Sequence, residues 1–261
     1  MRRSITRPPA RTGRSSSGGY TTGFTFQWGL TGDLPVPGDY DGDGKADVAV
    51  YRPSSGVWFL RQSTTGFTTF VSFQFGLNGD TTVPSDYDGD GKTDLAVYRP
   101  ATGTWYISLS TSGFAPSVQW GLTGDIPAPN ATVASAIAIS RRTVANSMRT
   151  ADLDGDGRAD VNVYRPSTGT WFNLTSSTNY ALFETFQWGL PGDIPVSSDY
   201  DGDGTTDLAV WRPFTGEWFI RESRTGFATF LSYQWGLNGD LSPFLATTTA
   251  TPRRISRSDR L

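Results

Sequence analysis

Cysteine and histidine are both missing from the 261 residues. Without them there is no disulfide framework, no thiolate nucleophile, no zinc cluster and no imidazole acid–base relay. Any metal must then be held by oxygen, which favours Ca²⁺, Mg²⁺ or Mn²⁺. Good helix formers are scarce, with two Met and only two Lys (Lys45 and Lys92). Long apolar runs are missing too. No segment reads as a membrane span, and residues 1–20, a mix of Arg with Ser, Gly and Pro, do not read as a secretory signal. What remains is 30 Gly, 16 Pro and 13% aromatic residues, the profile of many short strands joined by tight turns.

The net charge of −3 conceals a segregation. Twelve of the 22 basic residues lie in the N-terminal tail, in the C-terminal tail or in an insertion near 131–151, whereas 24 of the 25 acidic residues lie in the segments between them. The basic tails, 1–20 and 246–261, read as disordered flanks rather than as nucleic-acid-binding arms.

Self-similarity dominates the region between the tails, residues 21–245. Gln-Trp-Gly or Gln-Phe-Gly recurs at Trp28, Phe75, Trp120, Trp188 and Trp235, in steps of 47, 45, 68 and 47 residues. An Asp-rich loop begins at Asp39, Asp86, Asp152 and Asp199, in steps of 47, 66 and 47. One insertion of about 21 residues, Ala131 to Ala151, explains both long steps. Its Val133, Ile137, Val144 and Met148 have loosely helical spacing diluted by Ser, Thr and Asn, so it reads as a surface loop with one helical turn.

Each unit parses into four strands. A Pro-containing approach such as Leu34–Tyr40 or Thr82–Tyr87 leads into the loop, and an apolar run such as Val48–Tyr51 or Leu95–Tyr98 leaves it. After an Arg-Pro and a Ser-Gly or Thr-Gly turn comes a third strand (Val57–Leu60, Trp105–Leu109, Trp171–Leu174, Glu217–Ile220). The fourth ends the unit (Phe70–Phe75, Ser117–Trp120, Phe183–Trp188, Phe230–Trp235). Four strands per unit of this length is the arithmetic of a propeller blade, so the expected fold is an all-β propeller of four full units plus an extra strand, Phe24–Trp28.

The loops hold the chemistry. Their aspartates stand at positions 1, 3, 5 and 9: Asp39, Asp41, Asp43 and Asp47; Asp86, Asp88, Asp90 and Asp94; Asp152, Asp154, Asp156 and Asp160; Asp199, Asp201, Asp203 and Asp207. With Gly at position 6 this matches the first nine positions of an EF-hand loop, in which the position-7 carbonyl (Lys45, Lys92, Arg158, Thr205) also points at the ion. Position 12 is Val50, Val97, Val163 or Val210 instead of Glu, so each loop feeds a strand and the position-9 Asp must close the site. Two carboxylates about 5 Å apart repel by roughly 3 kcal/mol at an effective dielectric near 20. Four together need a cation, and a turn alone needs only one or two such residues. The expectation is about four Ca²⁺ per chain, with Mg²⁺ the weaker candidate because it prefers small octahedral sites that keep several waters.

Phe75-Gly76, Gly79-Asp80, Pro84 and the loop from Asp86 to Gly91 resemble, in that order, the FG-GAP or VCBS-type repeat of integrin-α-like β-propellers; other copies carry Trp for Phe, as in Trp28-Gly29, Gly32-Asp33 and Pro35. The resemblance spans roughly 24–244. It implies a calcium-binding module for adhesion or for a carbohydrate or protein ligand, in an extracellular or cell-surface setting. Such propellers commonly have seven blades, so four units leave a ring that is small, open, truncated or completed by association between chains. The alternative is the propeller of a secreted polysaccharide lyase or hydrolase, although no catalytic constellation stands out. The recurring Arg52, Arg99, Arg165 and Arg212, the tryptophans Trp58, Trp105, Trp171 and Trp218, and the Gly-Asp carboxylates Asp33, Asp80, Asp125, Asp193 and Asp240 admit two readings: carbohydrate pockets between blades, or packing and ion pairing within the stack.

Overall fold

The computed structural model describes residues 27–128 and 151–235. Both tails and residues 131–150 of the insertion lie outside them, as does most of the extra strand at Phe24–Trp28. The described residues form four small antiparallel sheets, arranged as a four-blade β-propeller that is not closed.

The first blade comprises β1 (Leu34–Pro35), β2 (Val48–Arg52), β3 (Val57–Arg61) and β4 (Phe70–Gln74), paired in chain order. The second comprises β5 (Thr81–Thr82), β6 (Leu95–Arg99) and β7 (Thr104–Leu109), with its outer strand split into β8 (Gly113–Phe114) and β9 (Val118–Gln119), both paired to β7. The third contains β10 (Ile126–Pro127), β11 (Val161–Arg165), β12 (Thr170–Leu174) and β13 (Phe183–Gln187), and the fourth β14 (Ile194–Pro195), β15 (Leu208–Arg212), β16 (Glu217–Arg221) and β17 (Phe230–Gln234). The first strands are shorter than their apolar approach suggests. Only two residues pair before Pro and the Asp loop divert the chain.

Burial falls from the inner to the outer strand. In β2, three consecutive residues are buried, as expected of a strand covered on both faces; β3 alternates, and β4 is exposed throughout. The β2–β3 turn needs glycine at 56, where φ is +66° and a Cβ would collide with the Gly76 carbonyl oxygen. Each third-strand tryptophan packs on the last aromatic residue of the second strand: Tyr51–Trp58, Tyr98–Trp105 and Tyr164–Trp171 have centroids 5.2, 5.4 and 5.0 Å apart. Its indole N–H donates to the carbonyl that ends the unit, Phe75 at 2.7 Å, Trp120 at 2.9 Å and Trp188 at 2.7 Å. The indole thus ties the third strand to the unit's end.

Consecutive blades meet at a repeated seam. The carbonyl of each loop's first Asp accepts the N–H of position 8 in the next loop: Asp39 from Thr93 at 2.7 Å, Asp86 from Ala159 at 2.7 Å, Asp152 from Thr206 at 2.6 Å. The apolar clusters cross these seams, joining Trp58 to Val97, Trp105 to Val163, and Trp171 to Val210. The closing aromatic of one unit also sits on the outer strand of the next, Trp120 on Phe183 and Trp188 on Phe230. Trp28 occupies the same seat on the first blade, 5.4 Å from Phe70 and under the Arg61 guanidinium. It thus takes, on the first blade, the seat that a unit's closing aromatic takes on the blade after it, while Trp235, which ends the fourth blade, is 81% exposed.

The insertion leaves the third blade in register. Ala128 still donates to Asn162, and Asp160 still donates to Ala151, as the corresponding residues do in the other blades.

Candidate metal centres

The four Asp loops lie between the first and second strands, closed at the base by the bridges Gly38–Asp47, Ser85–Asp94 and Ser198–Asp207. Within each loop the first aspartate organises the turn. Asp39 accepts the N–H groups of Gly42 and Gly44, both at 2.7 Å, and Asp86, Asp152 and Asp199 do likewise. Both glycines are left-handed, with φ of +80° and +78° in the first loop. The EF-hand analogy accounts for position 6 alone; position 4 carries the same demand.

The ninth residue anchors the loop to the blade. Asp47, Asp94, Asp160 and Asp207 each accept the N–H of position 2 and the N–H of a serine after the third strand (Ser63, Ser110, Ser176, Ser223). All four are essentially buried. Burial raises the carboxyl pKa of Asp47, Asp86, Asp152 and Asp207, and pushes Asp94 up to about 7 and Asp160 up to about 6. A buried anion without a countercharge is costly, and a bound cation would reverse the shift.

Carboxylate oxygens lying within 4.8 Å of one another come from Asp39, Asp41 and Asp43 in the first loop, Asp86, Asp88 and Asp90 in the second, and Asp199, Asp201 and Asp203 in the fourth. The third differs: Asp152, Asp154 and Asp160 converge, while Asp156 is bound by Arg158. The sequence thus locates every cluster, but the ninth residue converges only in the third. This all-oxygen donor set, with at least two members of each cluster buried or half-buried, fits a hard divalent cation.

A turn after the third strand, not singled out by sequence reasoning, completes each site. Its second residue reaches the position-3 carboxylate: Thr64 to Asp41 at 2.6 Å, Thr111 to Asp88 at 2.5 Å, Ser177 to Asp154 at 2.6 Å and Arg224 to Asp201 at 3.2 Å. The signal is a Ser followed by a hydroxyl residue or Arg, a fixed distance past each Trp.

The remaining recurring residues are spent inside the blades. Arg52, Arg99, Arg165 and Arg212 make two-pronged pairs at 2.8–2.9 Å with Asp33, Asp80, Asp125 and Asp193, and their guanidinium groups lie over Phe59, Tyr106, Phe172 and Phe219. Trp58, Trp105 and Trp171 are at most 1% exposed. The tryptophans thus pack, whereas Asp33 and Arg52 also line a cavity with Leu30, Pro53 and Asn78; Asp240 lies outside the described residues.

With this geometry, family comparison is decisive for the repeat. The FG-GAP repeat family matches residues 31–69, and the FG-GAP-like repeat family matches residues 86–163. The chain carries FG-GAP repeats. Among solved structures, a streptogramin B lyase superimposes with a TM-score of 0.44 at 10% identity, over 78% of this chain and 56% of that one. A catalytically inactive variant of virginiamycin B lyase from Staphylococcus aureus, solved with quinupristin, gives 0.42 at 9% identity, over 78% and 57%. The FG-GAP chain thus spans little more than half the length of either lyase, and their chemistry is not carried over to it. A search of curated proteins gave no match. Among the described residues, no helix is long and apolar enough to cross a membrane.

Proposed function

We propose that the four Asp loops of this FG-GAP array are Ca²⁺ sites, and that the array is a calcium-rigidified module for adhesion or for binding a carbohydrate or protein ligand. One observation carries the reading: carboxylates converge at four equivalent points, and at three of them the loop's first carbonyl is also bonded to the next blade. An ion there would neutralise the cluster and brace the seam. Asp39, Asp41, Asp43 and their counterparts would hold it, with the position-9 Asp or the position-7 carbonyl completing the shell. The ion's chemistry is structural, the neutralisation of buried negative charge. FG-GAP repeats are typical of extracellular proteins, which supports a setting where Ca²⁺ is abundant. The exposed outer-strand side chains Phe70, Phe73, Phe183, Phe230 and Tyr233 support a ligand-contacting rim, and the open fourth blade supports self-association.

Calorimetric titration tests the reading, with about four Ca²⁺ per chain expected and clearly weaker Mg²⁺ binding. An ion that binds only the folded state adds about 2.7 kcal/mol per site at a hundredfold excess over its Kd. EDTA should lower the melting temperature substantially; an unchanged curve would reduce the loops to turns. A glycan array with and without chelator, run beside a reducing-end release assay, separates ligand binding from turnover.

A further inference from the structure

The four loops share a backbone but not a charge environment. In the first, Lys45 Nζ lies 2.7 Å from Asp43. In the third, Arg158 lies 2.9 Å from Asp156 and also donates to the Ser176 carbonyl. In the fourth, Arg224 reaches across from the turn after β16 to Asp201, 3.1 Å away, where the other blades present a hydroxyl. Each of these cations sits on a carboxylate of its own loop. The second loop has none among the described ion pairs. Its position-7 Lys92 extends along Gly42 of the preceding blade, where a Cβ would come within 2.8 Å of the lysine Cε, as the stem of Arg158 extends along Gly89 of the second loop on its way to Asp156. The hydroxyl groups of the turn after the third strand, which the other loops receive as well, are here not joined by a cation: Ser110 Oγ is 2.6 Å from Asp90 and Thr111 Oγ1 2.5 Å from Asp88.

The second loop, like the third, is braced on both sides. Asp86 accepts the N–H of Ala159, and Thr93 both donates its N–H to the Asp39 carbonyl and accepts the Asp39 N–H at 3.1 Å. At the fourth loop Asp199 is only partly buried, whereas Asp39, Asp86 and Asp152 are at most 2% exposed.

We propose that the calcium sites are unequal by construction: the loop Asp86–Asp94 is the primary site, and the other three are held back by a built-in cation, Lys45, Arg158 or Arg224. The proposal rests on the loops being Ca²⁺ sites. A hydroxyl can rotate its proton away and offer a lone pair to an incoming ion, but an ammonium or guanidinium group offers none. Ca²⁺ must displace that group from the carboxylate and then tolerate a like charge nearby. The second loop therefore fills first and the others follow at higher concentration, by up to about fivefold, the scale of breaking an exposed ion pair.

Calorimetric titration of the whole chain with Ca²⁺ should resolve one tight ion followed by weaker ones. Arg224→Ser should convert one weak ion into a second tight one. Thr111→Arg, which puts a guanidinium on Asp88, should abolish the tight phase, as should Asp88→Asn. Four equivalent ions in the unmodified chain would overturn the proposal and leave the calcium reading intact. So would a tight phase that survives Thr111→Arg, or an Arg224→Ser chain that still binds a single tight ion. Absence of any Ca²⁺ binding would overturn the calcium reading itself.

Discussion

Asp94 and Asp160 illustrate what a buried carboxylate does when no cation faces it. Both titrate well above an ordinary aspartate because burial penalises the anion more than its N–H donors favour it. A folded-state pKa above the unfolded one contributes stability that is fully present below the unfolded value and lost as pH rises through the folded value. In EDTA, then, the melting temperature should fall between about pH 4 and pH 7, the window set by an ordinary aspartate and by Asp94. Saturating Ca²⁺ should remove that fall, because the ion stabilises the ionised form. A metal-free curve that instead rises through the same window would show that these carboxylates are ionised without strain. At this scale the sequence was highly legible: fifteen of the sixteen loop aspartates stand in the clusters or at their anchors, and the remaining one, Asp156, is turned to Arg158. The cations that distinguish the loops were not, because Arg224 reaches Asp201 from 23 residues away, a distance set by the strand 3 turn and not by the motif.

The blade is built around one tryptophan. Trp171 is 1% exposed, stacks on Tyr164 and donates to the Trp188 carbonyl. Trp171→Phe keeps most of the packing and loses the hydrogen bond, which should cost about 1–2 kcal/mol by denaturant unfolding. Trp171→Ala should cost about 3–5 kcal/mol. Equal effects of the two would mean that the bond, and not the ring, is what the blade needs. Strands 2 and 3 were readable from their apolar runs and from the Arg-Pro punctuation. The outer strands were less so. In the second blade the expected Ser117–Trp120 holds only β9, and a further pairing, β8, precedes it on the other side of Pro116. The roles of Arg99 and Trp105 needed the structure, because a ring and a charge serve a pocket or a core equally well until their partners are known.

Over the whole molecule, the two closing aromatics have different fates. Trp28 fills an inter-blade seat, against Phe70 and Arg61; Trp235 has the equivalent place at the end of the fourth unit and is exposed. Trp28→Ala should therefore lower the melting temperature, and Trp235→Ala should not. If the open fourth blade mediates self-association, Trp235→Ala should also reduce the molar mass measured by light scattering at high concentration. A mass unaffected by the substitution would assign any association to another surface. Length and period in the sequence set the number of units; whether the ring closes depends on which blade receives the spare aromatic, and that is a matter of contacts.

The seam has a further consequence. Every unit offers the next the same carbonyl and the same apolar face, and receives the same N–H and the same aromatic from the one before. Any unit's exit thus fits any other unit's entrance. Recombination between copies, out of step by one whole period, would yield a chain whose new junction is already a working one. The insertion ahead of the third loop points the same way, since about 21 extra residues leave the hydrogen bonds on both flanks intact. An array with such interchangeable joints can gain or lose blades in evolution without redesigning any of them.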